Sequence, residues 1–192
     1  MQASSKSVNE MSSKRDELRN RLEATIKSYP DFPQPGILFR DIMPVLLQPD
    51  LLDELCTQIV NEARALSEPV TAVTGLESRG FLFGPEVALR LNVPFVPIRK
   101  PGKIRVPAVE ETYEKEYGKD AVAIAEGALR PSARVLIIDD LLATGGTMAA
   151  AVKLVHKVGC TVALAYCVIE LSALNGRTLL PKNVNISCLL QL

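Results

Sequence analysis

The chain has 192 residues, 47% hydrophobic and 23% charged, which is enough to bury the core of one ordinary domain without disulfides or metals. Its 22 basic and 22 acidic residues give a formal net charge of zero, which argues against a nucleic-acid partner and against disorder as the main state. No apolar run approaches the ~20 residues of a membrane helix. The four cysteines are scattered without a CxxC motif, which favours reduced thiols and a cytoplasmic location.

The first elements in chain order are predicted to be helical. Residues 1–13 are polar and serine-rich, which indicates a disordered tail. From Ser13 onward an apolar residue at every fourth position predicts a helix. Segment 29–36 holds three prolines and is expected to be an extended loop. A second helix is expected over 50–66, with Asp50 as its cap.

From residue 70 the pattern changes to strands that alternate with helices. Short β-rich segments occur at 70–75, 93–98, 134–140, 161–169 and 186–190. Helical periodicity lies between them at 81–91 and 148–155, and Gly159 ends the second of these helices. The alternation predicts an α/β fold with a central, mostly parallel sheet that is flanked by helices. Because ligands bind beyond the carboxyl ends of strands in such sheets, those ends are where site residues are expected.

The strand end at 135–148, VLIIDDLLATGGTM, carries the strongest functional signal. A fully apolar strand delivers Asp139 and Asp140, and residues 144–147 then form a glycine-rich turn that opens a helix. Helix amino ends attract phosphate, the glycines permit close approach, and the threonine hydroxyls add donors. Two acids beside a phosphate site suit a ligand that also has hydroxyls or a divalent cation. A ribose 5-phosphate fits that description.

Two further segments carry unusual residues. The loop GLESRG at 75–80 follows a strand and contains one arginine. The stretch 99–117 begins with four cations and continues with four acids, interrupted by helix-breaking proline and glycine. On the residues alone, a solvated surface loop explains this stretch as well as a functional role does.

These segments carry a family resemblance. FPQPGILFRDI (32–42), GLESRGFLFG (75–84), PIRKPGK (97–103), YEKEYGKD (113–120) and the acid-rich strand end resemble, in the right order, the adenine phosphoribosyltransferase family of type I phosphoribosyltransferases. The resemblance implies the type I fold in a single domain over 14–192, with a small N-terminal hood (about 14–48) and a mobile flap (about 100–117). It also implies a homodimer, with residues 79–90 near its interface.

The resemblance further implies a reaction. Adenine and 5-phosphoribosyl 1-diphosphate would give AMP and diphosphate, a step of purine salvage that depends on Mg²⁺. The Mg²⁺ would be held largely by substrate and water, with Asp139 and Asp140 as candidate ligands. The catalytic carboxylate of the family, a general acid/base, falls at Glu116. Glu114, two residues before it, is the nearest rival for this role.

The family's motifs assign the remaining site residues. Adenine would be read by the main chain of Leu38 and Arg40. The phosphoribosyl group would be bound by Asp139, Asp140, Ala143, Thr144, Gly145, Gly146 and Thr147. Diphosphate would be bound by Glu77, Ser78, Arg79, Gly80, Arg99, Lys100 and Lys103. Similar enzymes have Asp at the position of Glu77, and often a cis peptide that would fall between Glu77 and Ser78.

Two other functions stay open at this point. One is a phosphoribosyltransferase that acts on a 6-oxopurine. Such an enzyme would need a segment other than 32–42 to recognise the edge of the base. The other is a regulator that keeps the phosphoribosyl-diphosphate loop but has lost catalysis. Zero net charge, Glu116 and the intact flap segment argue against the regulator.

Overall fold

The computed structural model describes residues 2–114 and 118–192, with side chains from Ser13 onward. The chain divides into two compact units, Met1–Gln58 and Ile59–Leu192. The segment predicted as a hood, about 14–48, lies within the first unit. That residues 14–192 form a single domain stays a prediction.

The first unit is built from one long helix and a short hairpin. Its elements are helix α1 (Gln2–Thr25), strands β1 (Lys27–Tyr29) and β2 (Phe39–Asp41), a 3₁₀ turn (Met43–Leu47) and the first part of helix α2 (Pro49–Arg64). The predicted stripe of Leu18, Leu22 and Ile26 is buried. Strands β1 and β2 pair antiparallel around the proline-rich loop. This small hairpin was not predicted, because three-residue strands leave too short a pattern.

Helix α1 differs from its prediction at its start. It begins at Gln2, whereas the sequence predicts a disordered tail over 1–13 and a helix only from Ser13. Residues 1–13 contain neither proline nor glycine, so nothing in them interrupts a helix that is continuous with the buried stripe.

The second unit is an α/β sheet unit. Its strands are β3 (Ala72–Leu76), β4 (Phe95–Ile98), β5 (Ala108–Glu114), β6 (Lys119–Ala125), β7 (Arg134–Leu142), β8 (Thr161–Glu170) and β9 (Ile186–Gln191). Helices α3 (Gly84–Leu91) and α4 (Gly146–Lys157) accompany them. Five strands form one sheet in the order β4-β3-β7-β8-β9, and every neighbouring pair is parallel. The predicted α/β class and mostly parallel sheet are confirmed.

The central strand β7 explains why its sequence is a continuous apolar run. It lies between β3 and β8, and Val135, Ile137 and Ile138 are fully buried. Helix α4 contributes Val152 and Leu154 to the same buried core. A strand covered on both faces has no solvent side, so polar residues enter only where it reaches the edge of the sheet.

Strands β5 and β6 form a separate antiparallel hairpin. The charged stretch that the sequence left as a loop or flap therefore contains a strand over Ala108–Glu114, in which partly buried and exposed residues alternate. Because the charged Glu111 occupies one of the partly buried positions, the hydrophobicity pattern of the sequence does not show this alternation. In residues 2–114 and 118–192, no helix has the length and apolar character to cross a membrane.

Candidate active site

The carboxyl end of β7 leads directly into the turn and helix that the sequence singled out. Asp139 and Asp140 lie in the last part of the strand, which continues to Leu142, two residues beyond the prediction. Gly145 is the N-cap of α4 and adopts a φ of +86°, a left-handed conformation that suits glycine. No described side chain caps the amino end of α4. Its first N–H groups therefore remain available to an anion.

The two aspartates lie in different surroundings. Asp140 is only 3% exposed, and its Oδ2 lies 3.0 Å from Nε of Arg79, an ion pair whose angles do not meet those of a hydrogen bond. Burial raises the pKa of Asp140, although the charge of Arg79 opposes the rise. Burial, and then the charge of Asp140, raise the pKa of Asp139 well above its usual range. A cationic or hydroxyl-bearing ligand at this edge would relieve both costs.

The loop after β3 forms the second part of the site. The peptide bond between Glu77 and Ser78 is cis, as the resemblance predicts. Glu77 accepts hydrogen bonds from the Arg99 side chain at 3.1 and 3.2 Å and from the Lys100 backbone N–H at 2.9 Å. The hydrogen bond from Arg99 and that from the Lys100 backbone hold the pKa of Glu77 below its usual range. Glu77 thus organises the cation-bearing segment after β4.

The β5–β6 hairpin reaches the glycine-rich turn 144–147, called the phosphate turn below, through a chain of polar contacts. Lys100 Nζ lies 2.5 Å from Asp120 Oδ2, and the Tyr113 hydroxyl lies 3.0 Å from that same oxygen. The Tyr113 hydroxyl is also 3.0 Å from Oγ1 of Thr147. Burial opposes protonation of Lys100, but its hydrogen bond to Asp120 and neighbouring charges leave the pKa raised. One network thus joins a predicted diphosphate ligand to a predicted phosphate ligand.

The two adenine candidates belong to the first unit. Leu38 is 45% exposed and directly precedes β2. Arg40 lies in β2 and donates from Nη1 to Oγ of Ser28 at 2.7 Å. Their assignment to adenine stays a prediction.

Among the remaining predicted residues, Gly80 is buried and Ala143 is partly buried. Ser78, Lys103 and Thr144 are exposed. The Lys103 carbonyl accepts a hydrogen bond from Arg99 Nη1 at 3.2 Å. Glu116 lies outside the described residues.

Sequence reasoning missed several residues that the structure brings to this site. Asp120 and Tyr113 are two: both lie in the motif 113–120, but the motif gave them no role because their other partners, Lys100 and Thr147, are distant in sequence. Glu170 is another: it ends β8 at the same edge of the sheet as Asp139. A signal for it was available, because segment 161–169 is an apolar strand followed directly by an acid.

Comparison with known proteins identifies the class of this fold and site. The sequence model of the phosphoribosyl transferase domain matches residues 49–189. The chain has the type I phosphoribosyltransferase fold.

Whole-chain comparisons define the family more closely. The chain is 51% identical over 175 residues to an adenine phosphoribosyltransferase of Caenorhabditis elegans, covering 91% of this chain and 94% of that protein. Adenine phosphoribosyltransferase of Saccharomyces cerevisiae, in complex with an iminoaltritol bisphosphate and adenine, superposes with a TM-score of 0.85 at 40% identity, covering 91% of this chain and 99% of that one. The Trypanosoma brucei enzyme, in complex with AMP, pyrophosphate and ribose-5-phosphate, gives 0.84 at 32% identity, covering 91% and 79%. The chain belongs to the adenine phosphoribosyltransferase family of pentosyltransferases.

Replacing Asp139 by Asn is expected to stabilise the protein more at neutral than at acidic pH. The folded-state pKa of Asp139 is raised, so the cost of ionising it is absent below its unfolded pKa and appears as pH rises through the folded value. Melting temperatures of Asp139→Asn and wild type should be close near about pH 4 and diverge toward about pH 8. Glu126→Gln, which removes an exposed carboxylate, is the control. A difference in melting temperature between Asp139→Asn and wild type that narrows with rising pH would contradict the expectation.

Replacing Tyr113 by Phe is expected to loosen the β5–β6 hairpin, because the lost hydroxyl contacts both Asp120 and Thr147. One or two hydrogen bonds of about 1 kcal/mol each correspond to roughly 5- to 30-fold faster local opening. Amide hydrogen exchange over Ala108–Glu114 measures this directly. Tyr29→Phe, at an exposed tyrosine of the first unit, should leave it unchanged. Equal exchange in wild type and Tyr113→Phe would show that the hydroxyl does not hold the hairpin.

Proposed function

We propose that the chain transfers the 5-phosphoribosyl group from 5-phosphoribosyl 1-diphosphate to adenine, giving AMP and diphosphate. The observation that carries this proposal is the carboxyl end of β7, where Asp139 and Asp140 precede the uncapped amino end of α4. Carboxylates that can accept hydrogen bonds from ribose hydroxyls lie next to N–H groups that can bind a phosphate, as a ribose 5-phosphate group requires. The ligands named for the yeast and trypanosome structures are of the same chemistry.

The phosphate turn would hold the 5-phosphate of the donor. The first N–H groups of α4 and the hydroxyls of Thr144 and Thr147 would donate to its oxygens, and the positive end of the helix dipole would favour its charge. Asp139 and Asp140 would accept hydrogen bonds from the ribose hydroxyls. Burial raises the pKa of the buried Asp140 and of the partly buried Asp139, so hydroxyl donors at this position would stabilise their ionised forms.

The diphosphate would lie near the loop after β3 and the cations after β4. Arg79, Arg99 and Lys100 are held in place by pairs with Asp140, Glu77 and Asp120 respectively. A diphosphate that approaches them meets ordered cations rather than free side chains, so less conformational entropy is lost on binding. The exposed Ser78 and Lys103 can supply further donors.

The chemical step breaks the bond between the anomeric carbon and the diphosphate oxygen, through a state with oxocarbenium character. N9 of adenine forms the new bond with its electron pair, and diphosphate leaves with the electrons of the old bond. Glu116 would accept or share the purine proton through N7 and so act as the general acid/base. Glu114, two residues before it in sequence, has its carbonyl oxygen 3.6 Å from a Cβ built on Gly146, so Glu114 itself lies beside the phosphate turn.

The donor set at β7 fits Mg²⁺ shared with substrate. Asp139 and Asp140 offer the carboxylate oxygens that Mg²⁺ prefers, but Asp140 also pairs with Arg79. Across 2–114 and 118–192, no group of three or more acidic, cysteine or histidine side chains is arranged to hold a metal ion. Two carboxylates would therefore bind Mg²⁺ together with donor oxygens and water. Bound there, Mg²⁺ would neutralise charge on the departing diphosphate.

A homodimer and a cytoplasmic location complete the proposal. Leu89 on α3 is 74% exposed, and it lies within the segment 79–90 that the family resemblance places near the dimer interface. A large apolar side chain in such a position supports burial by a second copy. All four cysteines are buried thiols that form no disulfide, which suits a reducing compartment.

One assay tests the substrate. Purified protein is incubated with 5-phosphoribosyl 1-diphosphate, Mg²⁺ and labelled adenine, hypoxanthine or guanine, and the nucleotide products are separated. AMP from adenine alone is the expected result. Product from the oxopurines instead would identify a 6-oxopurine enzyme, and no product from any base would favour a non-catalytic regulator.

Glu116→Gln is expected to lower kcat far more than it changes substrate KM. Loss of a general acid/base raises the barrier by roughly 2–4 kcal/mol, which corresponds to about 30- to 1000-fold slower turnover. Glu114→Gln, two residues away in the same acidic segment, is the matched comparison and should retain most activity. A larger loss in Glu114→Gln than in Glu116→Gln would transfer the role to Glu114.

A further inference from the structure

A second loop lies directly behind the phosphate turn. This backing loop, residues 171–180, connects β8 to the segment before β9 and contains Gly176. A Cβ built on Gly176 would lie 2.2 Å from the carbonyl oxygen of Ala143 and 3.0 Å from the backbone nitrogen of Gly145. Conversely, a Cβ built on Gly145 would lie 2.1 Å from the carbonyl oxygen of Gly176. The two backbones touch so closely that neither position has room for a methyl group.

An ion pair with a buried acid anchors the backing loop. Arg177, next to Gly176, donates from Nε and Nη2 to the two oxygens of Glu170 at 2.6 and 2.7 Å. Its Nη1 also donates to the carbonyl oxygen of Ile186 at 3.1 Å. Glu170 is only 5% exposed, and the hydrogen bond from Arg177 holds its pKa below the usual range. This bidentate geometry fixes the direction of Arg177 as well as its distance.

Backbone hydrogen bonds attach the same loop to two strands of the sheet. The N–H of Leu171 donates to the carbonyl of Leu142, the last residue of β7, at 2.9 Å. The N–H of Ser172 donates to the carbonyl of Leu192, beyond β9, at 3.0 Å. The backing loop is therefore held to the strand that leads into the phosphate turn and to the edge of the sheet.

We propose that Gly176 and the Glu170–Arg177 pair are positioning residues that set the geometry of the phosphate turn, an inference that rests on the proposed function. The turn carries two consecutive glycines and α4 has no side-chain cap among the described residues, so its own side chains restrain its N–H directions little. The backing loop supplies the missing restraint from behind. Its loss should weaken donor binding through the 5-phosphate while adenine binding is unchanged.

Gly176→Ala is the sharpest test, because the added methyl would meet the backbone of the turn itself. Gly127→Ala is the comparison variant: a Cβ at Gly127 meets nothing within 4 Å, and its φ of +72° makes the substitution strain the backbone away from the phosphate turn, so it controls for general destabilisation. Calorimetric titration with ribose 5-phosphate measures binding without catalysis. The phosphate is proposed to be held by charge-assisted hydrogen bonds, and the loss of one of them is expected to raise the dissociation constant about 10- to 100-fold above that of Gly127→Ala.

Arg177→Lys and Arg177→Met extend the test to substitutions that alter the anchor of the backing loop and add no atom against the backbone of the turn. Lysine keeps the charge next to Glu170 but loses the bidentate geometry, so it should bind ribose 5-phosphate more tightly than the methionine variant and more weakly than wild type. In steady-state kinetics both variants should raise the donor KM and leave the adenine KM unchanged. Simple destabilisation would instead lower the active fraction, and hence apparent kcat, with both KM values constant.

The outcomes separate the inference from the proposed function. Wild-type protein that forms no AMP overturns the proposed function. Wild-type protein that forms AMP, with Gly176→Ala and Gly127→Ala binding ribose 5-phosphate equally, overturns the positioning role alone. If Gly176→Ala does not fold, equal donor KM values in wild type, Arg177→Lys and Arg177→Met overturn it as well.

Discussion

The parallel pairing of β3, β7 and β8 is the constraint on which the rest of the second unit depends. Parallel strands bring their carboxyl ends to one edge, and at each of these ends an acid holds an arginine. Glu77 follows β3 and pairs with Arg99, Asp140 in β7 pairs with Arg79, and Glu170 ends β8 and pairs with Arg177. Each arginine comes from a different connecting segment, so the three pairs fix three loops to the edge.

These pairs also explain how a neutral chain can present a strongly charged site. The formal charge of zero is a sum over the whole chain, and at the sheet edge it includes cations and acids that lie next to each other in space. Removing the arginine of such a pair leaves the acid without its counter-ion, and this costs most for the buried acids Asp140 and Glu170. The cations are thereby kept ordered near where an anionic substrate is proposed to bind.

The sequence predicted the sheet well because its strands carry a strong local signal. The apolar run in β7, its two acids and the glycine-rich turn are contiguous, so strand, site and helix start could be predicted together. The β5–β6 hairpin could not, because Glu111 occupies an inward position of β5 and breaks the expected alternation. The partner of Arg79 could not be predicted either, since Asp140 is 61 residues away in sequence and meets it only through the pairing of β3 with β7.

The position of the Tyr113 hydroxyl imposes a choice on a single hydrogen atom. Its oxygen lies 3.0 Å from both Asp120 Oδ2 and Thr147 Oγ1, but a phenol has only one hydrogen to donate. While that hydrogen points to Asp120, the Thr147 hydroxyl must donate to Tyr113 and has no hydrogen left for a phosphate. Once Thr147 donates to an anion, Tyr113 must turn its hydrogen toward Thr147, and Asp120 loses this donor while it keeps those from Lys100 and from the Ala121 N–H. The direction of these hydrogen bonds would therefore record whether the phosphate turn is occupied.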